Sequence, residues 1–340
     1  MNYSSRIFLY GPVGLFATLL IAMMAYWWVA SNALSKKLDQ WNGHEIARGV
    51  HLSFSKKAMS GFPFRVDSQL DDLHIEIETS HGPTVWEAEH FALHSLAYGA
   101  GQYVFEAAGK QIVQWHDDRG QLHEYDFLPG TLRASSISDR DGLARFDIQI
   151  LDVSSADISA ARVEFHLRRN PTIDGYDLAT TTDGVHFSAD LDAPFGTDLK
   201  HFGSISLISP GSSFAKFLDG HGDWRPAVED WRKSDGGLKI SSLEISWGDL
   251  KAKGSGALTA DALHRPFGAL HLSIEGWSSL SQSNASTTRT REGPGIAKAL
   301  AMVELNQHAS AGKPLDITAT FKDGMFYVGS IPADLLSPLY

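Results

Sequence analysis

The chain contains no cysteine among its 340 residues. Disulfide staples, thiol nucleophiles and thiolate metal sites are therefore excluded. Basic residues are the minority charge: 29 Lys and Arg stand against 40 Asp and Glu, a formal net charge of −11. Setting aside Arg6, Lys36, Lys37 and Asp39, the charged residues of the first forty, leaves 26 basic against 39 acidic groups. Such a surface repels phosphate backbones over a Debye length of ~8 Å at physiological salt, so no nucleic-acid partner is expected. Signatures of several chemistries are missing as well. There is no H-E-x-x-H zinc helix, no G-x-x-x-x-G-K phosphate loop and no G-x-S-x-G elbow. Gly254-Ser255-Gly256 reads as a flexible turn inside strand-like sequence, not as that elbow. No catalytic, cofactor-binding or metal-ligating residue is assigned, and no cofactor is expected.

Long hydrophobic runs are equally scarce, with one exception. Residues 7–30, IFLYGPVGLFATLLIAMMAYWWVA, carry no charged side chain. A helix of roughly 20 residues crosses the ~30 Å hydrocarbon layer, so this run spans it with some tilt. Pro12 lies near its start, where a helix tolerates proline better than at its centre. Tyr26, Trp27 and Trp28 gather at the far end and are expected to sit at the membrane interface, where amphipathic rings prefer the headgroup level. The competing reading is a cleavable signal peptide with Ser31 and Ala33 at positions −3 and −1. A signal's apolar region is only 7–15 residues long, which favours an uncleaved anchor. Arg6 favours a cytoplasmic N-terminus, while Lys36 and Lys37 argue the other way. A short tail ahead of a long domain favours export of the domain.

The remainder is globular in composition, 43% hydrophobic and 20% charged over the whole chain. About 300 residues bury roughly 75% of their unfolded surface, enough to fold without staples. Leu34, Leu38 and Trp41 recur at i, i+4 and i+7 and predict a short amphipathic helix ending near Asn42-Gly43. The expected organisation is a cytoplasmic tail (1–6), a transmembrane anchor (7–30), a juxtamembrane amphipathic helix (31–48) and a β-rich domain (49–340). From Val50 the apolar period becomes two. V-H-L-S-F-S begins there, L-H-I-E-I-E at Leu73, F-A-L-H-S-L at Phe91 and R-F-D-I-Q-I at Arg145. V-E-F-H-L at Val163, L-E-I-S-W at Leu243, A-L-H-L-S-I-E at Ala269 and L-D-I-T-A-T-F at Leu315 continue it. Each predicts a strand with one buried face. Asp141-Gly142, Asp174-Gly175, Asp183-Gly184, Asp235-Gly236 and Asp323-Gly324 supply turns between them. The fold class is mainly β (β-rich α+β): an N-terminal transmembrane helix, then an elongated, curved antiparallel sheet with a few short helices.

Helical patterns are few: one or two turns at residues 213–218, and a longer helix over 296–309. The Ser/Thr-rich stretch 278–295 before it reads as an exposed loop. No second linker divides the chain, so one elongated domain is expected. GVHFSADLDAPFG at residues 184–196 and GALTADALHRPFG at 256–268 share G-x6-L-x2-P-F-G, a faint echo. Fifteen histidines are many. His90 and His94, four apart in a strand, share a face some ~13 Å apart, too far for one metal. Were that segment helical they would meet, with Glu87 and Glu89 near. His116, Asp117, Asp118, His123 and Glu124 flank Arg119-Gly120; they read more simply as outward residues of a hairpin than as a cation site.

Several local patterns together carry a resemblance. They are the anchor followed by Trp41, S-G-F-P-F-R at 60–65, G-S-G-A-L-T-A-D at 254–261, R-P-F-G at 265–268, E-G-W at 275–277 and D-G-M-F-Y-V-G-S-I-P at 323–332. The chain resembles a family of proteobacterial envelope proteins catalogued as domain of unknown function 2125. More loosely, its closing strand and D-G turn are similar to those of AsmA-like envelope proteins, long sheets with an apolar concave face. The resemblance implies an inner-membrane anchor, a periplasmic β domain and no catalytic residues to carry over. Within S-G-F-P-F-R, Gly61 and Pro63 make a bend, while Phe62 and Phe64 are expected to bury on one sheet face.

Three functions compete on this reading. The first is a non-catalytic envelope protein binding or shielding lipid on an apolar sheet face, with membrane lipid at its anchor. The second is a structural adaptor that meets another envelope protein through a sheet edge. The third is an anchored hydrolase with an unrecognised site.

Overall fold

A computed structural model describes residues 4–47, 49–79, 82–96, 101–117, 120–188, 197–208, 214, 217, 224–276 and 314–339. The chain is mainly β, and its 18 strands among the described residues pair antiparallel. Its contacts group into two compact units, Met1–Asp126 with Arg133–Ile137, and Phe127–Leu132 with Ser138–Tyr340. The anticipated helix at 296–309 and the loop before it lie outside the described residues, as do most of 213–218 and the second half of the 184–196 echo.

The first unit opens with helix α1, Ser4–Trp41. Its 38 residues reach about 57 Å, nearly twice a hydrocarbon layer of ~30 Å. Helix α1 is long and apolar enough to cross a membrane. The separate span and juxtamembrane helix expected from sequence are therefore one rod. The physical reason is that neither glycine nor proline interrupts residues 15–42. Gly43 ends it, in the left-handed region at φ 76°. Asn42 then clamps the next strand: its side-chain amide donates to the Phe54 carbonyl (3.2 Å) and its Oδ1 accepts from the Phe54 amide (2.9 Å).

Strands β1 (His44–Ala47), β2 (Val50–Ser53), β3 (Lys56–Ser60), β4 (Arg65–Thr79), β5 (Gly82–Leu96) and β6 (Gln102–His116) follow. The β structure thus starts at His44, ahead of the expected boundary. β2 and β3 lie in turn along β4, and β4, β5 and β6 pair in order. Asp72 stands in the left-handed region at φ 51° within β4, and Leu70 and Leu73 on either side of it are both fully buried. Ala88 and Ala107 join them, together with Gln111. That buried amide is satisfied: its Oε1 accepts from Trp86 Nε1 (3.1 Å), and its Nε2 donates to the Ala108 and Gly109 carbonyls (3.2 Å each). The last turns of α1 lie on β4 and β1, burying Leu38 to 3% exposure. Lys57 reaches back from β3 to the Ser35 carbonyl (2.8 Å) and Asp39 (2.6 Å).

Strands β7 (Leu122–Phe127) and β8 (Thr131–Asp139) contribute residues to both units. The second unit continues with β9 (Gly142–Ser154), β10 (Ile158–Arg169), β11 (Gly175–Phe187), β12 (Asp198–Ile208), helix α2 (Trp224–Lys233), β13 (Gly237–Trp247) and β14 (Leu250–Ala260). It ends with β15 (Pro266–Glu275), β16 (Leu315–Lys322), β17 (Met325–Val328) and β18 (Ile331–Leu335). Each strand from β10 onward pairs with its predecessor. Ile274, Leu315, Ile317, Val328 and Ala333 form its buried cluster. Sequence reading missed α2, although Trp224, Ala227, Val228 and Trp231 fall at i, i+3, i+4 and i+7. Ala227 and Trp231 are buried, and Trp231 Nε1 donates to the Ile208 carbonyl (3.2 Å).

Two turn expectations resolve differently. Asp323 and Gly324, at φ 56° and 77°, form a two-residue turn closed by the Lys322–Met325 pair, the type I′ geometry that right-twisted strands require. Asp183-Gly184 is no turn; it is a bulge within β11. Gly254-Ser255-Gly256 is likewise strand interior. A side chain at Gly254 would strike Leu272 and the His271 carbonyl of β15, and one at Gly256 would strike Leu270. These glycines make room for neighbouring leucines rather than for a bend.

Gly254→Val should therefore lower the stability of the full chain by about 1–3 kcal/mol through overpacking, read from the urea midpoint. Ser255→Val, on the opposite face, should change it by less than ~0.5 kcal/mol. Equal effects at the two positions would refute this account of the glycines. Trimming provides a second check. A chain starting at Gly49 loses Leu38, whose burial is worth about 1.5–3 kcal/mol. It should melt below a chain starting at Ser31; equal melting temperatures would show that the helix end adds nothing.

Candidate functional site

Two surfaces stand out, one in each unit. In the first unit the three aromatic residues clustered at the end of the uncharged run, Tyr26, Trp27 and Trp28, diverge. Tyr26 and Trp28 are exposed, whereas Trp27 is half-buried. Trp27 Nε1 donates to the Arg65 carbonyl (2.7 Å), and its ring meets Phe62 edge-on at 5.6 Å. Trp27 thus joins the helix to the S-G-F-P-F-R segment. Phe62 and Phe64 do not bury on a sheet face as expected: they are 47% and 56% exposed. The reason is local, because residues 61–64 form the turn between β3 and β4, ahead of the first paired position of β4.

The second unit carries the larger surface. Paired residues share a face, so the register traces rows across strands. One row runs Phe146, Leu167, Leu178, Ile205, Ile240, Gly256, Leu270, Ala319, Val328, Ile331 and touches all ten strands from β9 to β18. At ~4.8 Å per strand it is roughly 43 Å long. A parallel row runs Ile148, Phe165, Thr180, Gly203, Leu243, Gly254, Leu272, Ile317. Large and small residues alternate where glycines face leucines, so the rows interlock sideways. Ala319 and Val328, at the β16–β18 end, are buried; Phe146, Leu167, Leu178, Ile205, Ile240 and Leu270 are only half-buried. A polar pair interrupts the face: the Thr180 hydroxyl lies 2.9 Å from His201 Nε2.

The opposite faces hold the charges, as local pairs across strands. His166 meets Asp147 (2.7 Å), His186 meets Asp198 (3.0 Å) and Lys253 meets Glu244 (3.4 Å). Lys200 and Arg162 hold the Asp183 carboxyl below the usual carboxylate range. A hydrogen bond from the Asn170 amide lowers that of Asp177, with help from Ser206 and Arg168 and against partial burial. The His186 ring lowers Asp198, and Lys110 lowers Asp126. Burial pushes the Asp261 carboxyl up, but Arg265 and the backbone amides of Arg265 and Leu263 outweigh it. Every resolved carboxyl shift among the described residues thus runs toward stronger acidity.

The histidines singled out from sequence go to separate partners. His90 Nδ1 lies 3.0 Å from Asp71, and His94 Nδ1 lies 2.9 Å from the buried Asp67. Both sit on strand β5, not on a helix. Glu87 faces His74 (3.1 Å), while the Glu89 carboxylate accepts from the Lys110 amide (3.0 Å). At the hairpin, His123 meets Asp117 (3.1 Å) and stacks on Trp115, His116 Nδ1 lies 3.2 Å from the Pro83 carbonyl, and Glu124 accepts from Gln114 (2.7 Å). Asp118 and Arg119 lie outside the described residues. Sequence reading missed the chain Arg65–Asp67–His94–Glu106–Arg133, whose ends are ion pairs of 2.9 and 2.6 Å and whose centre links His94 to Glu106 at 3.8 Å. Its members come from β4, β5, β6 and β8, so only the pairing brings them together.

No curated protein and no solved structure matches the chain. A family model does, over residues 27–335, from the last turn of the uncharged run to the final strand. The chain belongs to the bacterial family described as "uncharacterized protein conserved in bacteria" (DUF2125).

Proposed function

We propose that this is a membrane-anchored, non-catalytic protein of the bacterial envelope that holds or shields an apolar chain, lipid by chemistry, on the half-buried face of its second unit. In this reading the N-terminus is cytoplasmic, α1 spans the inner membrane, and the bulk of the chain is periplasmic. The observation that carries it is the apolar row through ten consecutive strands, set against an opposite face of paired charges. About 14 methylenes laid on such a face at ~0.8 kcal/mol each give on the order of 10 kcal/mol before the entropic costs of binding. Retention of the anchor is supported by packing. Trp27 and the buried Ser31 both precede the candidate cleavage point after Ala33, and cleavage would remove contacts that the first unit uses.

Adjacent residues of β13 provide the test, because they point to opposite faces. The full chain in nanodiscs should take up a fluorescent fatty acid saturably at micromolar concentration. Ile245→Glu, on the apolar face, should weaken uptake at least about tenfold, some 1.4 kcal/mol. Ser246→Glu, flanked by Lys200 and Lys251 on the charged face, should leave it unchanged. No saturable uptake, or equal loss in both variants with the circular dichroism preserved, would favour the adaptor reading.

A further inference from the structure

The turn between β3 and β4 exposes ring surface that neither its contact with Trp27 nor the lipid-holding surface covers. Phe62 and Phe64 flank Pro63 at its tip, and both rings are about half exposed, at 47% and 56%. Two large apolar rings at one turn are costly to leave in water. Their position is set by Trp27, whose ring contacts Phe62 and whose indole N–H is held by the Arg65 carbonyl. Trp27 also marks a boundary along α1. Tyr26 and Trp28 are exposed, at 56% and 63%, while Ser31, only one turn on, is buried at 6%. From Trp27 onward one face of the helix, with Ser31 and Leu38, is covered by protein, and the contacts of Trp27 with Phe62 and Arg65 set the turn level with the end of the uncharged run.

We propose that residues 62–64 form a second membrane contact, a wedge that enters the headgroup–acyl boundary of the same bilayer that α1 crosses. The inference rests on α1 being a retained anchor. Its chemistry is that of interfacial aromatics: rings enter the acyl edge while polar groups stay at headgroup level. The turn's backbone suits that depth. The Arg65 amide donates to the Gly61 carbonyl (2.9 Å), the Arg65 carbonyl accepts from Trp27, and Pro63 has no N–H to leave unpaired. Gly61, at φ 95°, is required by the bend, since a side chain there would meet the Arg65 carbonyl and the Asp67 carboxylate at 2.8 Å. The Arg65 side chain, paired to Asp67 yet 57% exposed, stands at the polar edge of the wedge.

The absence of cysteine makes the test direct. Single cysteines replace Phe62, Phe64, Leu19 in the uncharged run, or Glu78, in the full chain. Glu78 lies 13 residues along β4 from Arg65, roughly 43 Å if extended. Each is labelled with bimane and placed in nanodiscs of phosphatidylcholine and phosphatidylglycerol, with or without lipid carrying a doxyl quencher at acyl carbon 5. We expect the Leu19 and Phe64 labels to lose about half their emission, as rings at the acyl edge should. The Glu78 label should lose none. The Phe62 label should follow Phe64; should it disturb the Trp27 contact, as a shifted melting temperature would reveal, the Phe64 label decides. Quenching at Leu19 without quenching at Phe64 overturns the wedge and leaves the anchor standing. Quenching at neither position overturns both.

Discussion

Register does most to determine what this molecule is. In an antiparallel sheet a slip of one residue turns every side chain of a strand to the other face. Ten strands of the second unit nonetheless keep Phe146 through Ile331 on a single side. Where the chain carries an extra residue, at Asp183-Gly184 in β11 and near Ser241 in β13, a bulge absorbs it and the apolar residues beyond return to their row. The separation of an apolar face from a face of paired charges, on which the proposed function depends, follows from that alignment. The glycines of β14 serve the same end, allowing Leu270 and Leu272 to lie across them.

Much of this was legible from residues alone. Seven of the eight segments read as strands lie wholly within strands, and the one from Val50 overruns β2 by two residues; most have an apolar residue at every second position. The strands that escaped notice do so for physical reasons. The centre of β11, Ala179-Thr180-Thr181-Thr182, puts threonine on both faces and shows no period. In β6 a register shift opposite Ala88 and His90 breaks the alternation halfway. Dipeptides such as Asp323-Gly324 and Asp183-Gly184 look alike in sequence, yet both place a glycine at positive φ, one in a turn and one in a bulge. The dihedral requirement is common to both; the pairing partner distinguishes them.

The surfaces were less legible than the fold. Tyr26, Trp27 and Trp28 are equivalent as letters, and only the return of the chain at Arg65, 38 residues on, singles out Trp27. The exposure of Phe62 and Phe64 ran against composition, since aromatic residues in a strand-rich chain are more often core. The histidines illustrate the reverse case. In sequence they read as outward residues of strands rather than as a cation site, and cross-strand geometry sets a carboxylate beside each of His74, His90, His123, His166 and His186.

The meander of the second unit also bears on how the chain is made. Every strand from β10 to β18 finds its partner in the strand just before it, so most of its pairings close short loops, the exceptions being the longer connections from β12 to β13 and from β15 to β16. Such a sheet can lengthen in the order of synthesis, each arriving strand docking on the edge left by the last. A sheet that grows this way has to stop growing, or the next strand it accepts belongs to another molecule. Among the described residues the last strand of the meander, β18, is only five residues long and carries Pro332, which has no amide hydrogen to offer a newcomer. The edge that β18 presents is thus poorly suited to template a further strand from another molecule.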